Sequence, residues 1–155
     1  MIDYNSNIGG YTIGGFLNNP VFSNPSAAFT AAGGGTANLN NTYYLFTGSL
    51  FLNAGNNAFV IPHDDGLELF VTGIGTVLSQ PGPTAPVNTP FNVNAPAAGT
   101  YAFTMSYGEC CGAPARLAFL VNDQPIGQNG VPEPATLALL GLGLAGLGFG
   151  RRKKA

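Results

Sequence analysis

Two adjacent carboxylates stand out among the residues that could do chemistry. Asp64 and Asp65 follow the only histidine, His63, and precede the alternating apolar residues of 66–71. Two like charges held side by side repel each other, so a bound cation would stabilise the pair. Ca²⁺ prefers carboxylate, amide and carbonyl oxygens and is the ion that this pattern favours. The alternative is that both aspartates only cap a turn through backbone hydrogen bonds, and that His63 is a hydrogen-bonding turn residue rather than a metal ligand.

The two cysteines of the chain are also adjacent. Cys110 and Cys111 directly follow Glu109. A structural zinc site needs further thiolate or imidazole ligands at a wider spacing, which excludes zinc. In an oxidising compartment the intramolecular pairing open to them is a vicinal disulfide, which would kink and stiffen a ligand-binding loop beside Glu109. Loop thiols or cross-links between chains are the alternatives, and Glu109 would either complete a cation site or pair with Arg116.

Catalysis has little support in the sequence. No Gly-x-Ser-x-Gly elbow presents a nucleophile, and no phosphate loop or dinucleotide fingerprint occurs. A glycosidase needs two carboxylates at a defined separation, and nothing selects a pair from Asp64, Asp65 and Glu109. We therefore predict a protein that is not an enzyme and has no catalytic residues, with a carbohydrate-active hydrolase using these three carboxylates as the alternative.

Charge is distributed very unevenly along the chain. Four of the five basic residues lie at 151–154, so that Arg116 stands alone against six acidic residues in 1–130, a net charge of about −5. Such a surface repels phosphate backbones, which excludes nucleic acid as a partner. Uncharged polar residues and glycine dominate instead, a composition typical of secreted β proteins.

Short strand signals separated by turn residues cover the chain up to residue 130. The predicted strands are residues 11–17, 43–52, 58–61, 67–71, 91–93, 100–107 and 115–122. Asn and Gly at 53–57 predict a hairpin turn that pairs the strands on either side. Residues 27–32 are predicted as a loop or brief helical turn, and 79–99 as a proline-rich excursion. Strands at this spacing predict an all-β protein with an antiparallel β-sandwich.

The C-terminus has the pattern of a membrane signal. Pro132, Glu133 and Pro134 precede an uncharged stretch at 135–150, which is closed by four basic residues, Arg151, Arg152, Lys153 and Lys154. As a helix this stretch would reach about 24 Å, less than the bilayer's apolar core of about 30 Å. A short span favours transient recognition and removal over permanent anchoring, with the basic end in the cytoplasm.

This order of features resembles the PEP-CTERM sorting signal. Tails of that family are processed by exosortase, a membrane peptidase-transferase of Gram-negative bacteria that make exopolysaccharide and biofilm. The resemblance implies two partners, exosortase and the inner membrane during sorting, and then export to the cell surface or extracellular matrix. A signal peptide is expected upstream of residues 1–5, which open directly into polar sequence.

A second resemblance covers roughly residues 42–121. The string DDGLELFVTG, followed by Tyr101-Ala102-Phe103 and then by Tyr107-Gly108-Glu109 and Ala115-Arg116-Leu117, is similar to the PA14 and GLEYA adhesin β-sandwich. In calcium-dependent members an Asp-Asp pair holds the ion, and the ion binds sugar hydroxyls. Asp64 and Asp65 match that pair by position. An Asn ligand from a distant loop is also implied, and the sequence does not single one out.

Together these features predict four segments and one function. The segments are poorly patterned strands and loops at 1–41, a PA14-like jelly-roll sandwich at 42–127, a linker with the Pro-Glu-Pro motif at 128–134, and a transmembrane sorting helix with its basic tail at 135–155. The predicted function is a surface or biofilm-matrix protein, with calcium as cofactor and polysaccharide as partner. A purely structural matrix protein is the variant of this hypothesis that lacks a ligand.

Overall fold

A computed structural model describes residues 2–17 and 35–126 of the chain. Within these residues it contains two short helices and ten strands. The helices are α1 (Ser6–Gly9) and α2 (Ile13–Leu17), and the strands are β1 (Asp3–Asn5), β2 (Thr42–Leu52), β3 (Gly55–His63), β4 (Leu67–Val71), β5 (Gly75–Gln80), β6 (Val87–Ala95), β7 (Gly99–Glu109), β8 (Arg116–Ala118), β9 (Leu120–Val121) and β10 (Gln124–Pro125).

The strands form two antiparallel sheets that pack face to face. The four-stranded sheet has the order β2-β7-β4-β5. The six-stranded sheet has the order β1-β8-β3-β9-β10, and β6 pairs with the other edge of β3. This arrangement is a β-sandwich, so the fold class predicted from the sequence is confirmed.

Period-two alternation decides which side chains enter the core. In β4, Leu67, Leu69 and Val71 are buried while the residues between them point outward. In β7, Phe103, Met105 and Tyr107 are buried in the same way, and register places β7 between β2 and β4. Successive strand side chains point to opposite faces, so both runs give one apolar face that packs against the second sheet.

Phe119 joins the two sheets at the centre of the core. It is fully buried between β8 and β9. Its ring centroid lies 5.7 Å from that of Phe59 on β3 and 5.5 Å from that of Phe103 on β7. Offset and edge-to-face aromatic pairs at these separations stabilise a core beyond the area they bury.

The N-terminal segment packs onto the sandwich. β1 pairs with β8, and the Tyr4 ring lies 5.3 Å from Phe16 and 5.8 Å from Phe46 between centroids. Phe16, on α2, also stacks at 6.0 Å on Tyr107. Residues 2–17 therefore extend the core of the strands that follow them.

The strand predicted at 11–17 is wrong, because this segment contains helix α2 (Ile13–Leu17). The Phe16 N–H donates to the Thr12 carbonyl, a helical bond that local geometry satisfies. A single bridge between Thr12 and Asn38 is the β-type pairing at this position. The glycines of this short segment weaken the β signal that its apolar residues gave.

The hairpin predicted across residues 53–57 is also wrong. β3 does not pair with β2 but lies in the opposite sheet, while β2 pairs along its whole length with β7. The connection is held by the buried Asn57, whose carboxamide accepts the Asn53 N–H and donates to the Asn53 and Gly55 carbonyls. These side-chain bonds let the chain cross between sheets without a hairpin ladder.

Several other strands differ in length from those predicted, and β3 and β7 extend beyond the predicted 58–61 and 100–107. β6 (Val87–Ala95) is far longer than 91–93, and Pro90 is tolerated because β6 is an edge strand, paired with β3 alone among the described residues. The strand predicted at 115–122 is divided at Phe119 into β8 and β9. The predictions for 27–32, the linker and the C-terminal helix lie outside the described residues. Within 2–17 and 35–126, no helix has the length and hydropathy needed to cross a bilayer.

We expect Phe119→Ala to lower the free energy of unfolding by about 3–5 kcal/mol, because it leaves a cavity between the two sheets. Chemical denaturation followed by circular dichroism measures this loss. Phe70→Ala, on the outer face of β4, is the control and should change the value by less than about 0.5 kcal/mol. Equal losses in the two variants would contradict the central position of Phe119.

Candidate functional site

Asp65 uses all of its polar atoms to hold three loops together. Its N–H donates to the Thr84 carbonyl at 3.3 Å, and the Thr84 N–H returns a bond to Asp65 Oδ1 at 3.1 Å. Asp65 Oδ2 accepts the Cys110 N–H at 2.5 Å. The residue has a φ of 68°, in the left-handed region that Asp tolerates better than most residues. The turn after β3, the β5–β6 loop and the β7–β8 loop therefore meet at one buried carboxylate.

His63 extends this network toward β6. Its Nδ1 lies 2.7 Å from the Asp65 carbonyl, which can only accept, so Nδ1 carries a proton. Its Nε2 lies 2.8 Å from Thr89 Oγ1, and the Thr89 hydroxyl also lies 3.2 Å from the Gln80 side-chain amide. Both ring nitrogens thus have protein partners, which favours the hydrogen-bonding role over a metal-ligating one.

Cys110 and Cys111 are joined by a disulfide in the loop that Asp65 holds. Cys111 has a φ of 66°, and the Ala113–Pro114 peptide bond is cis. With the β5–β6 loop, this loop borders a cavity of about 380 Å³. The residues that line the cavity are Asp64, Asp65, Pro83, Thr84, Ala85, Pro86, Cys110, Cys111, Gly112, Ala113 and Pro114.

Asp64 lies in the lining of this cavity and is nearly buried. Its backbone N–H donates to the Arg116 carbonyl at 2.9 Å, which fixes the residue against β8. Burial raises the pKa of the Asp64 carboxyl, and the charge of Asp65 raises it further. The two aspartates therefore form an electrostatically unfavourable pair at the base of an open cavity.

Glu109 ends β7 just before the disulfide, and its side chain points into the core with 1% of its surface exposed. Oε1 accepts the Tyr11 hydroxyl at 2.8 Å, and Oε2 accepts the Tyr107 hydroxyl at 2.6 Å. Burial raises the pKa of Glu109 to about 7, the two tyrosine hydrogen bonds lower it, and the charges of Asp65 and Asp64 raise it. Burial, and after it the hydrogen bond and charge of Glu109, raise the pKa values of both tyrosines.

The alternative in which Glu109 pairs with Arg116 is wrong. The Arg116 guanidinium lies instead 4.0 Å from the Asp3 carboxylate, across the β1–β8 pair. Register explains the difference, because Asn5 faces Arg116 and brings β1 beside it, whereas Glu109 ends a strand of the opposite sheet. The structure therefore separates the guanidinium from the acidic cluster.

The donor set fits Ca²⁺ in part. Asp64 and Asp65 offer two carboxylates, and an oxygen that accepts one N–H retains a second lone pair. Calcium takes about six to eight oxygen ligands, so backbone carbonyls, waters and ligand hydroxyls would have to complete the shell. Within the described residues, no group of three or more His, Cys, Asp or Glu is arranged for a metal ion. The implied asparagine is not among the residues lining this cavity; Asn41 lines the neighbouring one.

Three of the residues that organise the site were not predicted from the sequence. Tyr11 lies 98 positions from Glu109, and Thr84 lies 19 positions from Asp65, so no local pattern connects them. Tyr107 is different, since it precedes Glu109 by two residues on the same face of one strand, and alternation alone could have paired them.

Residues 130–154 match the PEP-CTERM protein-sorting motif. The resemblance of the C-terminal tail to this signal is therefore confirmed. The motif identifies an exported protein that is processed by exosortase and sorted through the membrane to the cell surface.

The β-sandwich is similar to domains of larger solved structures. An anti-sigma factor domain-containing protein has a TM-score of 0.50 and 18% identity, over 86% of this chain and 41% of its own. The PA14 domain of the antifreeze protein MpAFP has a TM-score of 0.41 and 18% identity, over 56% of this chain and 44% of its own. A GH31 α-xylosidase from Xanthomonas citri has a TM-score of 0.42 and 17% identity, over 51% of this chain and 8% of its own. This chain thus spans less than half the length of each of these three proteins. A search of curated proteins found no match.

The raised pKa of Glu109 predicts a pH-dependent stability with a definite sign. The folded-state pKa, about 7, lies above the ordinary value of 4.5, so the fold retains a proton that the unfolded chain loses. Below pH 4.5 the Glu109 carboxyl therefore does not lower the free energy of unfolding. As the pH rises from 4.5 to 7 it lowers that free energy increasingly, and above pH 7 the loss is on the order of 3 kcal/mol. The Glu109→Gln variant should lack this decrease in the free energy of unfolding.

Urea denaturation between pH 4 and 8, in the presence of a chelator, measures the effect. Tyr11→Phe serves as a second variant, because losing a hydrogen bond to the carboxylate should extend the fall to higher pH. Parallel pH profiles for the unmodified protein and Glu109→Gln would contradict the assignment.

Proposed function

We propose that this exported protein is a non-enzymatic module that binds glycans through Ca²⁺ held by Asp64 and Asp65. One observation carries the proposal. The Asp65 carboxylate fixes the Thr84 and Cys110 N–H groups, so the loops beside the acidic pair border a single cavity that Asp64 also lines. The place of action that fits the sorting motif is the surface or biofilm matrix of a Gram-negative bacterium.

The electrostatics of the acidic pair support a cation ligand. The Asp64 pKa is raised by burial and by the adjacent Asp65, and Glu109 adds a third carboxylate behind them. A bound divalent ion would favour the charged forms of both aspartates. When present, Ca²⁺ would offer coordination positions to ligand hydroxyls, while Thr84 and the disulfide loop would limit the ligand's orientation.

The remaining lining of the cavity supports a sugar as the ligand. Pro83, Pro86, Pro114 and the Cys110–Cys111 disulfide present apolar surface, which suits the C–H faces of a pyranose ring. None of the lining residues is basic, so the cavity disfavours phosphorylated or sulfated ligands. A neutral glycan fits both properties.

The arrangement of the carboxylates favours binding over hydrolysis. A glycosidase acid must reach the glycosidic oxygen, whereas Glu109 is buried and both of its oxygens accept tyrosine hydroxyls. Each oxygen of Asp65 already accepts a backbone N–H. Asp64 would then stand without the second carboxylate that a glycosidase needs.

We expect calorimetric titration of the full chain with CaCl₂ to show binding. Asp64→Asn should abolish this binding or lower its affinity by roughly a hundredfold. The chain is kept in a zwitterionic detergent, since sugar detergents would compete with glycans. Asp123→Asn is the matched control, because it removes the same charge from the turn before β10, outside the cavity, and should retain the heat.

Retention on immobilised polysaccharide separates the two candidate functions. Binding that requires CaCl₂, without release of reducing sugar, supports the module. Release of reducing sugar that is lost in Asp65→Asn would support the hydrolase instead. Equal calcium heats for the unmodified protein and Asp64→Asn would exclude the proposed cation site.

A further inference from the structure

A second cavity, a groove of about 470 Å³, lies on the outer face of the four-stranded sheet. Its floor is backbone, where the Gly108 N–H donates to the Gly66 carbonyl at 2.9 Å. A Cβ added to Gly108 would meet only that carbonyl oxygen, at 4.0 Å. The groove is therefore open because the central strand has no side chain at this position, and not because packing is loose.

The two sides of the groove differ in chemistry. On one side lies Tyr43, which register places opposite Gly108 and which exposes 70% of its surface. On the other side lie the Pro81–Pro83 turn and Glu68, whose carboxylate accepts the Ser79 hydroxyl at 3.3 Å. An exposed ring opposite hydrogen-bonding oxygens is a combination that can hold a sugar ring by its C–H face and its hydroxyls.

The charge of the groove narrows the class of ligand. Three acidic residues, Glu68, Asp65 and Glu109, are among the residues lining it, and none of those residues is basic. A uronate, phosphate or sulfate group would be repelled at this surface. Neutral hydroxyl groups can donate to the exposed Glu68 carboxylate, so the lining suits an uncharged saccharide.

The groove adjoins the cavity of the acidic pair. Asp65, Pro83 and Cys110 line both, so one wall separates the two spaces. A ligand larger than a single sugar that is anchored beside Asp64 would reach this wall with its next residues. The groove offers the adjacent surface on which such a chain can continue.

We propose that the groove over Gly108 is a second subsite, which binds the continuation of a neutral polysaccharide chain held at the Asp64–Asp65 cavity. The proposal rests on the proposed function for the ligand that enters the first cavity. The groove's own contribution comes from Tyr43, Glu68 and the open floor, and it needs no cation. Affinity should therefore grow with the length of the saccharide.

Gly108→Val tests the groove with little effect on the fold. A Cβ at this position meets nothing closer than 4.0 Å and valine suits a β-strand, while its side chain would fill the floor. Gly99→Val is the matched control, since it makes the same change at the start of the same strand, where a Cβ meets nothing within 4 Å. Tyr43→Ala is a second variant that removes an exposed side chain and leaves the strand unchanged.

Two pairs of saccharides serve as probes: glucose with cellohexaose, and mannose with mannohexaose. Each is titrated into the full chain in zwitterionic detergent with CaCl₂. We expect at least one hexasaccharide to bind roughly tenfold more tightly than its monosaccharide. Gly108→Val and Tyr43→Ala should lose that gain and retain the monosaccharide affinity, while Gly99→Val retains both. Asp64→Asn should show the reverse pattern, losing the monosaccharide and retaining weak, cation-independent hexasaccharide binding.

Other outcomes overturn the subsite. Equal hexasaccharide affinity in Gly108→Val and Gly99→Val excludes the groove, even if monosaccharide binding remains calcium-dependent and the proposed function stands. The groove is likewise excluded if neither hexasaccharide binds more tightly than its monosaccharide. Binding of none of these probes overturns both proposals. A dimer in sedimentation that Tyr43→Ala dissolves, without saccharide binding, assigns the face to self-association instead.

Discussion

The geometry of both cavities depends on the hydrogen bonds of one buried side chain. The Asp65 carboxylate accepts the Thr84 and Cys110 N–H groups, while its own carbonyl accepts His63 Nδ1. Bonds from backbone N–H groups to an ionised carboxylate are stronger than neutral ones, and breaking them would leave two donors poorly satisfied. Three loops that are distant in sequence are thereby held in one position, and both cavities have Asp65 in their lining.

This arrangement concentrates negative charge where little water can screen it. Asp64 lies beside Asp65, and Glu109 lies behind them with its oxygens bound by tyrosine hydroxyls. Burial raises the pKa of both Asp64 and Glu109, and mutual repulsion adds to it. Protonation can remove the electrostatic cost of a charged Glu109 carboxylate, which faces the core. Asp64 lines an open cavity, where an ion from solution could reduce the electrostatic cost of its carboxylate.

What could be predicted from the sequence was local. Alternation identified the strands at 67–71 and 100–107, and residue type identified the acidic pair. Pairing between sheets was not predictable, because Asn57 replaces the expected hairpin with side-chain hydrogen bonds. The groove has no sequence signal of its own, since it results from the absence of a side chain at Gly108 and from strand register.

The single arginine of residues 1–130 has its guanidinium beside Asp3 rather than beside the acidic pair. Before Lys153 the chain has no lysine, and among residues 1–130 Arg116 is the only basic side chain other than histidine. Its backbone carbonyl binds the Asp64 N–H, yet its guanidinium points toward Asp3. Because this guanidinium lies against β1, the proposed function assigns the balancing of the acidic pair's charge to a bound ion.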